Sequence, residues 1–273
     1  MRTQRGEEPD GCSETQQRVN STAMVIDAHA HADENDIWGW YDPPQKLIAL
    51  MDEAGIDLSV VTSYSDEPGP SPGLQNLERY LEAYPKRLIG FARIDPKFGQ
   101  SSVELLQRVI RENPLMRGLK LHPISNLVKP YAERCVQLIR TAGQLGVPVF
   151  IHCGDAVPAL PLQIGKAAAL CPDTTIICHL GGYFHAEEII RVAERCSNLV
   201  LDTSSCPYPQ SIRRAIEALG SERVVFASDS PAGDPISELE KIRMLELPRE
   251  TEQQVLWRNI ARMLQLRITV DET

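Results

Sequence analysis

Residues 24–31 read Met-Val-Ile-Asp-Ala-His-Ala-His, and they decide between the two parallel α/β folds that the sequence allows. Residues 24–28 predict a first buried strand, because they form a short, mostly apolar run. A doubly wound open sheet would carry a glycine-rich phosphate-binding turn directly after this strand. The chain has His29-Ala30-His31 there instead. The stretch therefore favours a closed barrel and leaves the doubly wound sheet as the alternative.

Further strand predictions follow the first, and stretches with helical periodicity separate them. The eight strands are predicted at 24–28, 58–63, 88–94, 118–122, 148–152, 175–179, 199–203 and 224–228. The helices are predicted at 43–54, 74–83, 103–112, 131–145, 159–170, 186–196, 209–219 and 236–245, with a last one at 251–266. Eight strand–helix units over about 250 residues are typical of a (β/α)8 or TIM barrel. The sequence thus predicts an α/β protein of this class with an additional C-terminal helix.

The composition indicates a globular protein that works on small molecules. The 273 residues are 42% hydrophobic and 24% charged, and their formal net charge is -9. Because Lys and Arg form no cluster, nucleic acid and anionic membrane surfaces are excluded as expected partners. No apolar run reaches the roughly 18–20 residues that a membrane-spanning helix needs. We therefore expect a small-molecule substrate, and a homodimer is compatible with the sequence.

The chain divides into a polar tail and one domain. Residues 1–23 carry almost no apolar side chains, which predicts a disordered extension. Residues 24–273 are predicted to form a single barrel domain. The tail lacks the apolar core of a signal peptide, and the seven cysteines include no C-x-x-C pair. We expect a cytoplasmic protein with reduced thiols.

The histidines point to a metal site at one end of the barrel. Five of the six stand at the C-terminal ends of predicted strands, namely His29, His31, His122, His152 and His179. Active sites of TIM barrels are built at this end. Asp229 ends the eighth strand in the same way. Three imidazoles (His29, His31 and His152) with one carboxylate (Asp229) suit zinc or a similar divalent ion and leave a position open for water.

Several motifs in the same order resemble the amidohydrolase superfamily. They are His29-Ala30-His31, Gly118-Leu119-Lys120-Leu121-His122-Pro123, His152, His179-Leu180-Gly181-Gly182, Ser228-Asp229-Ser230-Pro231 and Asn259-Ile260-Ala261-Arg262. The chain is similar in particular to the amidohydrolase-related branch, which also contains decarboxylases of the aminocarboxymuconate-semialdehyde type. The resemblance covers about residues 24–266. It implies that His29, His31, His152 and Asp229 bind the metal and that His179 acts as an acid or base beside it.

The resemblance and the residues together predict a metal-dependent hydrolase. A metal-bound water, with Asp229 as proton acceptor, would attack a carbonyl, amide or lactone of a small polar or anionic compound. Non-oxidative decarboxylation of a small unsaturated or aromatic acid is the second hypothesis. A metal-free lactonase or a non-catalytic binding barrel is the third.

The remaining predictions concern substrate binding and the metal. Lys120, His122 and Arg93 stand at strand ends and are predicted to bind substrate. Zinc is the first choice of ion, with manganese, iron or cobalt as alternatives. One ion per chain is favoured over two, although Lys120 and His179 could serve a second ion.

Overall fold

The computed structural model describes residues 24–35, 41–64, 69, 71 and 73–268. The predicted disordered extension, residues 1–23, lies outside the described residues. Within them, eight parallel strands pair in chain order, each with the next. They are β1 (Ile26–His31), β2 (Leu58–Thr62), β3 (Leu88–Arg93), β4 (Met116–Leu121), β5 (Val149–Ile151), β6 (Ile176–His179), β7 (Leu199–Asp202) and β8 (Val224–Val225).

The first and last strands meet, which closes the sheet into a barrel. Ala30 forms a parallel bridge with Ser230. The backbone N–H groups of Ala28 and His31 donate to the carbonyls of Phe226 and Ser230 at 2.9 and 2.7 Å. The predicted (β/α)8 barrel is therefore confirmed.

Helices connect the strands and cover the outside of the barrel. They are α1 (Pro44–Ala54), α2 (Leu74–Ala83), α3 (Gln100–Glu112), α4 (Pro123–Asn126), α5 (Glu133–Gln144), α6 (Pro161–Leu170), α7 (Ala186–Arg195), α8 (Pro209–Leu219), α9 (Pro235–Arg243), α10 (Arg249–Gln253) and α11 (Asn259–Met263). Proline begins five of these helices, where its missing N–H costs no hydrogen bond. Gly55 ends α1 in the left-handed conformation, with φ 77°. No helix in the described ranges is long and apolar enough to cross a membrane.

The predicted C-terminal helix at 251–266 is present in a broken form and closes the bottom of the barrel. A π-helical turn, Gln254–Arg258, joins α10 to α11. Ile260, Ala261 and Leu264 pack in one cluster with the apolar residues of the barrel interior. The Asn259 amide donates to the carbonyls of Ser221 and Val224 at 2.7 and 2.9 Å. The segment therefore seals the end opposite the predicted site.

A bulge in β1 places both of its histidines inside the barrel. Asp27 lies opposite Ser59 and Ala30 lies opposite Val61, so β1 holds one extra residue between these pairs. Ala28 accordingly packs in the interior cluster, whereas Ala30 packs in the outer layer between strands and helices. Because the alternation resumes after the bulge, His29 and His31 both point inward.

Regular alternation does the same for the histidines of β5 and β6. Phe150 and Ile177 belong to the interior cluster, whereas Cys153 and Cys178 belong to the outer layer. The side chains two positions after Phe150 and Ile177 are therefore directed inward. The two thiols face away from the site, as the sequence predicted.

Candidate active site

Two histidine side chains at the carboxyl end of the barrel converge on one carboxylate oxygen. The Asp229 Oδ1 atom lies 3.1 Å from Nε2 of His31 and 3.4 Å from Nε2 of His29. The two imidazole rings are 4.6 Å apart and meet edge to face. The bulge in β1 and the meeting of β1 with β8 create this arrangement, because they bring residues 198 positions apart in the chain into contact.

The backbone around Asp229 fixes which of its oxygens faces the histidines. Asp229 adopts a left-handed conformation with φ 54°, which aspartate tolerates better than most residues. Its N–H donates to the carbonyl of His29 at 2.9 Å. The Ser205 hydroxyl donates to Oδ2 at 3.2 Å. The second oxygen is thus occupied, and Oδ1 is left for the histidine side.

His179 is held by a buried carboxylate and a hydroxyl. Its Nδ1 lies 3.0 Å from Oδ2 of Asp202 and 3.0 Å from Oγ of Ser204. The Ser204 hydroxyl donates to Oδ1 of Asp202 at 2.5 Å. The hydroxyl proton is therefore not available to His179, and the Ser204 oxygen can only accept from the imidazole. These partners favour a proton on Nδ1 of the imidazole, which leaves the Nε2 lone pair directed at the cluster.

Lys120 lies below the histidine cluster, in the layer of Phe150. The two residues are paired in register between β4 and β5, and Lys120 Nζ is 4.0 Å from the Phe150 ring centroid. Nζ is also 3.0 Å from Nε2 of His29. Burial lowers the pKa of Lys120 from 10.5 to about 7. The structure therefore places this predicted substrate-binding lysine beneath the site, where it is 1% exposed.

The other predicted site residues line the same end of the barrel. The His122 and His152 rings are 4.5 Å apart, and His152 is 5.0 Å from the His179 ring. His122 also caps α4, because its Nδ1 accepts the Ser125 N–H at 3.2 Å. Arg93 lies opposite Lys120 in register. The structure thus brings all the residues predicted for the site to one end of the barrel.

Arg93 is tied to the end of β2. Its guanidinium donates to the Ser63 carbonyl at 3.3 Å and to the carbonyl of Tyr64. The Tyr64 ring stacks on His31 at 4.4 Å. A side chain predicted to bind substrate therefore also supports a histidine of the cluster.

The electrostatics of the cluster favour neutral imidazoles and an ionised carboxylate. Burial, with the nearby Lys120, lowers the pKa of His29 well below its ordinary value. Burial also lowers the pKa values of His31 and His152. Burial opposes the charge on Asp229, but the hydrogen bond with His31 holds its pKa below the ordinary range. Neutral imidazole nitrogens beside a carboxylate are the donors that a divalent ion requires.

One distance between proposed ligand atoms also fits a tetrahedral metal site. Ligand atoms at about 2.0–2.2 Å from a tetrahedral ion lie about 3.3–3.6 Å from one another. The 3.4 Å between His29 Nε2 and Asp229 Oδ1 falls in this range. Within the described residues, His29, His179 and Asp229 have ligand atoms that all lie within 4.8 Å of one another. Two members of this group belong to the predicted ligand set, and the third, His179, carried an acid/base prediction.

Several residues that hold the candidate site in shape were not predicted from the sequence. Asp202 is fully buried at the end of β7, so the strand-end argument used for the histidines could have found it. Ser204 and Ser205 gave no signal, because their contacts depend on the course of the chain after β7.

Asp27 is a second missed residue, and it joins β1 to β8. It accepts the His29 N–H at 3.1 Å and the N–H of Ser228 at 2.9 Å. The Ser228 hydroxyl donates to its other oxygen at 2.5 Å. Burial raises the pKa of Asp27 to about 7. The aspartate thus anchors the bulge directly below His29.

The sequence matches the family model described as Amidohydrolase over residues 26–266. The chain belongs to the amidohydrolase family. The resemblance seen in the sequence motifs is therefore confirmed. No curated protein matches this amidohydrolase-family chain.

Solved structures share the fold of this amidohydrolase-family chain. A 2,6-dihydroxybenzoate decarboxylase from Rhizobium is 15% identical with a TM-score of 0.70, covering 89% of this chain and 98% of its own. A 5-carboxyvanillate decarboxylase from Sphingomonas paucimobilis is 16% identical with a TM-score of 0.69, covering 90% and 100%. A dihydroxybenzoic acid decarboxylase from Polaromonas, solved with manganese and the inhibitor 2-nitroresorcinol, is 16% identical with a TM-score of 0.68, covering 90% and 98%.

Proposed function

We propose that the chain is a metal-dependent, non-oxidative decarboxylase of a small aromatic or unsaturated acid. The observation that carries the proposal is the pair of buried basic side chains, Lys120 and Arg93, next to each other in register on β4 and β3. Their field favours an anionic substrate. Several of the similar structures are decarboxylases of aromatic acids. Together these findings support the decarboxylase hypothesis better than the hydrolase hypothesis that the sequence favoured.

Loss of a carboxylate suits the polarity of this site. The Phe150 ring and the stacked His29 ring, 4.1 Å apart, form an apolar layer beside Lys120. A carboxylate bound against such a layer loses hydration, and its departure as neutral carbon dioxide removes the charge. A hydrolase acting on a neutral lactone or amide would instead create an anion there.

The metal ion would be held by the residues that the sequence predicted. We propose His29, His31, His152 and Asp229 as ligands, and the ion, when bound, would orient the substrate oxygens. Two similar decarboxylases were solved with manganese, so manganese ranks beside zinc as the proposed ion. One ion per chain is proposed.

His179 is the proposed proton donor. Asp202, 3.0 Å from its Nδ1, would stabilise the imidazolium and leave the Nε2 proton free for transfer. This proton adds to the substrate carbon that bears the carboxylate. The carbon–carbon bond then breaks, its electron pair remains on the ring carbon as the ring is restored, and carbon dioxide leaves. The substrate is neither oxidised nor reduced in this step.

The reaction is tested with the protein loaded with manganese or zinc. We expect carbon dioxide release from 2,6-dihydroxybenzoate, 5-carboxyvanillate or a related acid, with one solvent deuteron in the product at the vacated carbon. His179→Ala should abolish turnover, whereas His185→Ala, on a surface histidine paired with Glu188, should not. Solvent oxygen-18 in the product without carbon dioxide release would establish hydrolysis instead. Ligand binding without turnover would indicate a binding barrel.

Elemental analysis of the metal-loaded protein distinguishes the alternative sets of metal ligands. About one ion per chain, lost in Asp229→Asn and in His152→Ala but kept in Lys120→Ala and His179→Ala, would support the proposed ligands. Loss in His179→Ala with retention in His152→Ala would favour the group formed by His29, His179 and Asp229. About two ions, with one lost in Lys120→Ala, would support a second metal.

We propose a small-molecule enzyme in the cytoplasm, with no nucleic acid or membrane partner, and a homodimer is compatible with it. Size-exclusion chromatography with light scattering measures the oligomeric state directly.

A further inference from the structure

The turn after β7, residues 203–206, contacts both His179, the proposed proton donor, and Asp229, a proposed metal ligand. Ser204 is fully buried, and its hydroxyl lies 3.0 Å from Nδ1 of His179. Ser205 donates to Oδ2 of Asp229 at 3.2 Å. One short turn therefore sets the orientation of the imidazole and of the carboxylate together.

This turn has a strained backbone. Ser205 adopts a left-handed conformation with φ 58°, which is uncommon for serine and persists only where the surrounding structure enforces it. The start of the turn is fixed, because the Thr203 hydroxyl accepts the Ala227 N–H at 3.2 Å. A further contact is needed to keep Ser205 in the left-handed conformation.

Lys241 on α9 supplies that support. Its ammonium donates to the carbonyl of Cys206 at 2.7 Å and to the carbonyl of Thr203 at 3.3 Å. It also pairs with the Glu238 carboxylate one helical turn earlier. The side chain is 12% exposed, so its two hydrogen bonds and its ion pair lie in a largely water-free place. The two carbonyls flank Ser205 on both sides.

We propose that Lys241 is a positioning residue of the active site. Its ammonium clamps the two ends of the 203–206 turn and keeps Ser205 in the left-handed conformation. Ser204 and Ser205 then present their hydroxyls to His179 and Asp229. The inference rests on the proposed function in that His179 and Asp229 are taken as the working groups. Lys241 itself touches neither of them in this arrangement and acts through the turn.

The test removes the ammonium without leaving a buried charge. Glu238→Gln is the control, because it keeps both bonds from Lys241 to the turn. Lys241→Met is made in that Glu238→Gln background, because Lys241→Met alone would leave the Glu238 carboxylate without its cation. The first measurement is the nitrogen-15 spectrum of the His179 imidazole in the metal-free, folded protein. The second is the Mn²⁺ dissociation constant, obtained from the free-ion electron paramagnetic resonance signal.

In the control, we expect His179 to keep its proton on Nδ1. In the double variant, we expect a mixture of tautomers and a Mn²⁺ dissociation constant at least about tenfold higher, the usual effect of losing an outer support. Adding Ser205→Ala to the double variant should then weaken Mn²⁺ binding little further, because both changes release the same carboxylate oxygen.

Two results would overturn the role of Lys241. One is an unchanged His179 tautomer in the folded double variant. The other is independent loss of affinity, with Ser205→Ala weakening Mn²⁺ binding equally whether or not Lys241 is present. If the unaltered protein does not bind Mn²⁺, the proposed function fails in that respect, and the His179 spectrum still decides the inference about Lys241.

Discussion

Replacing Glu238 by glutamine should change how the stability of the protein depends on pH. The Glu238 carboxyl is 14% exposed and pairs with Lys241. Burial raises its pKa from 4.5 to about 7, although Lys241 opposes the shift. Glu238 lies on α9 and does not belong to the histidine cluster, so its titration can be followed in metal-free protein.

The sign follows from proton binding. Because the pKa is higher in the folded state, the native protein holds more protons than the unfolded chain between pH 4.5 and about 7. The contribution of Glu238 to stability is therefore fully present below pH 4.5 and is lost as the pH rises to about 7 and beyond. At about 1.36 kcal/mol per pH unit, the full span is about 3 kcal/mol. Between pH 5 and pH 8, relaxation and residual solvent access reduce the expected loss to about 1–2 kcal/mol.

Urea denaturation at pH 5 and pH 8, with a chelator present, measures the effect. The unfolding free energy of the unaltered protein should fall more between these pH values than that of Glu238→Gln, by about 1–2 kcal/mol. Other titrating groups, such as Asp27 with its raised pKa, act in both proteins and cancel in the difference. Parallel pH profiles for the two proteins would refute the reasoning.

Three further predictions test the fold and the site. Mn²⁺ at about 100 times its dissociation constant should stabilise the protein by about 2.7 kcal/mol; calorimetry should show this gain lost in Asp229→Asn and kept in His185→Ala. Gly118→Ala should destabilise by about 1–3 kcal/mol in urea, because the new Cβ would lie 2.4 Å from the Phe91 ring; an unchanged midpoint would contradict this packing. Asp202→Asn should lower kcat about 10–100-fold with little change in unfolding free energy, and equal losses in both would indicate a merely structural role.

The sequence alone was sufficient for the barrel and for the end at which the predicted site residues meet. Hydrophobic runs at regular spacing are a local property, and a parallel strand followed by a helix has few ways to continue. The strand ends could therefore be located closely enough to place His122, His152 and His179 together. The exact ends of the strands were predicted less well. Strand β8 comprises Val224–Val225, whereas the predicted strand extends to residue 228.

Only the tertiary structure decided how the side chains are aimed. The extra residue in β1 that turns His29 and His31 inward is visible only in the pairing with β2. Likewise, Lys120 proved to lie under the histidines, because burial and register depend on the neighbouring strand. Sequence spacing could not foresee either result.

The supports of the site also come from distant parts of the chain. Asp202, Ser205 and Lys241 reach His179 and Asp229 through contacts that span 23 to 38 residues or join separate elements. Sequence patterns report what a residue does for its own helix or strand. The orientation of a carboxylate or an imidazole depends instead on which atoms of other elements lie within hydrogen-bond distance, and closure of the barrel determines that.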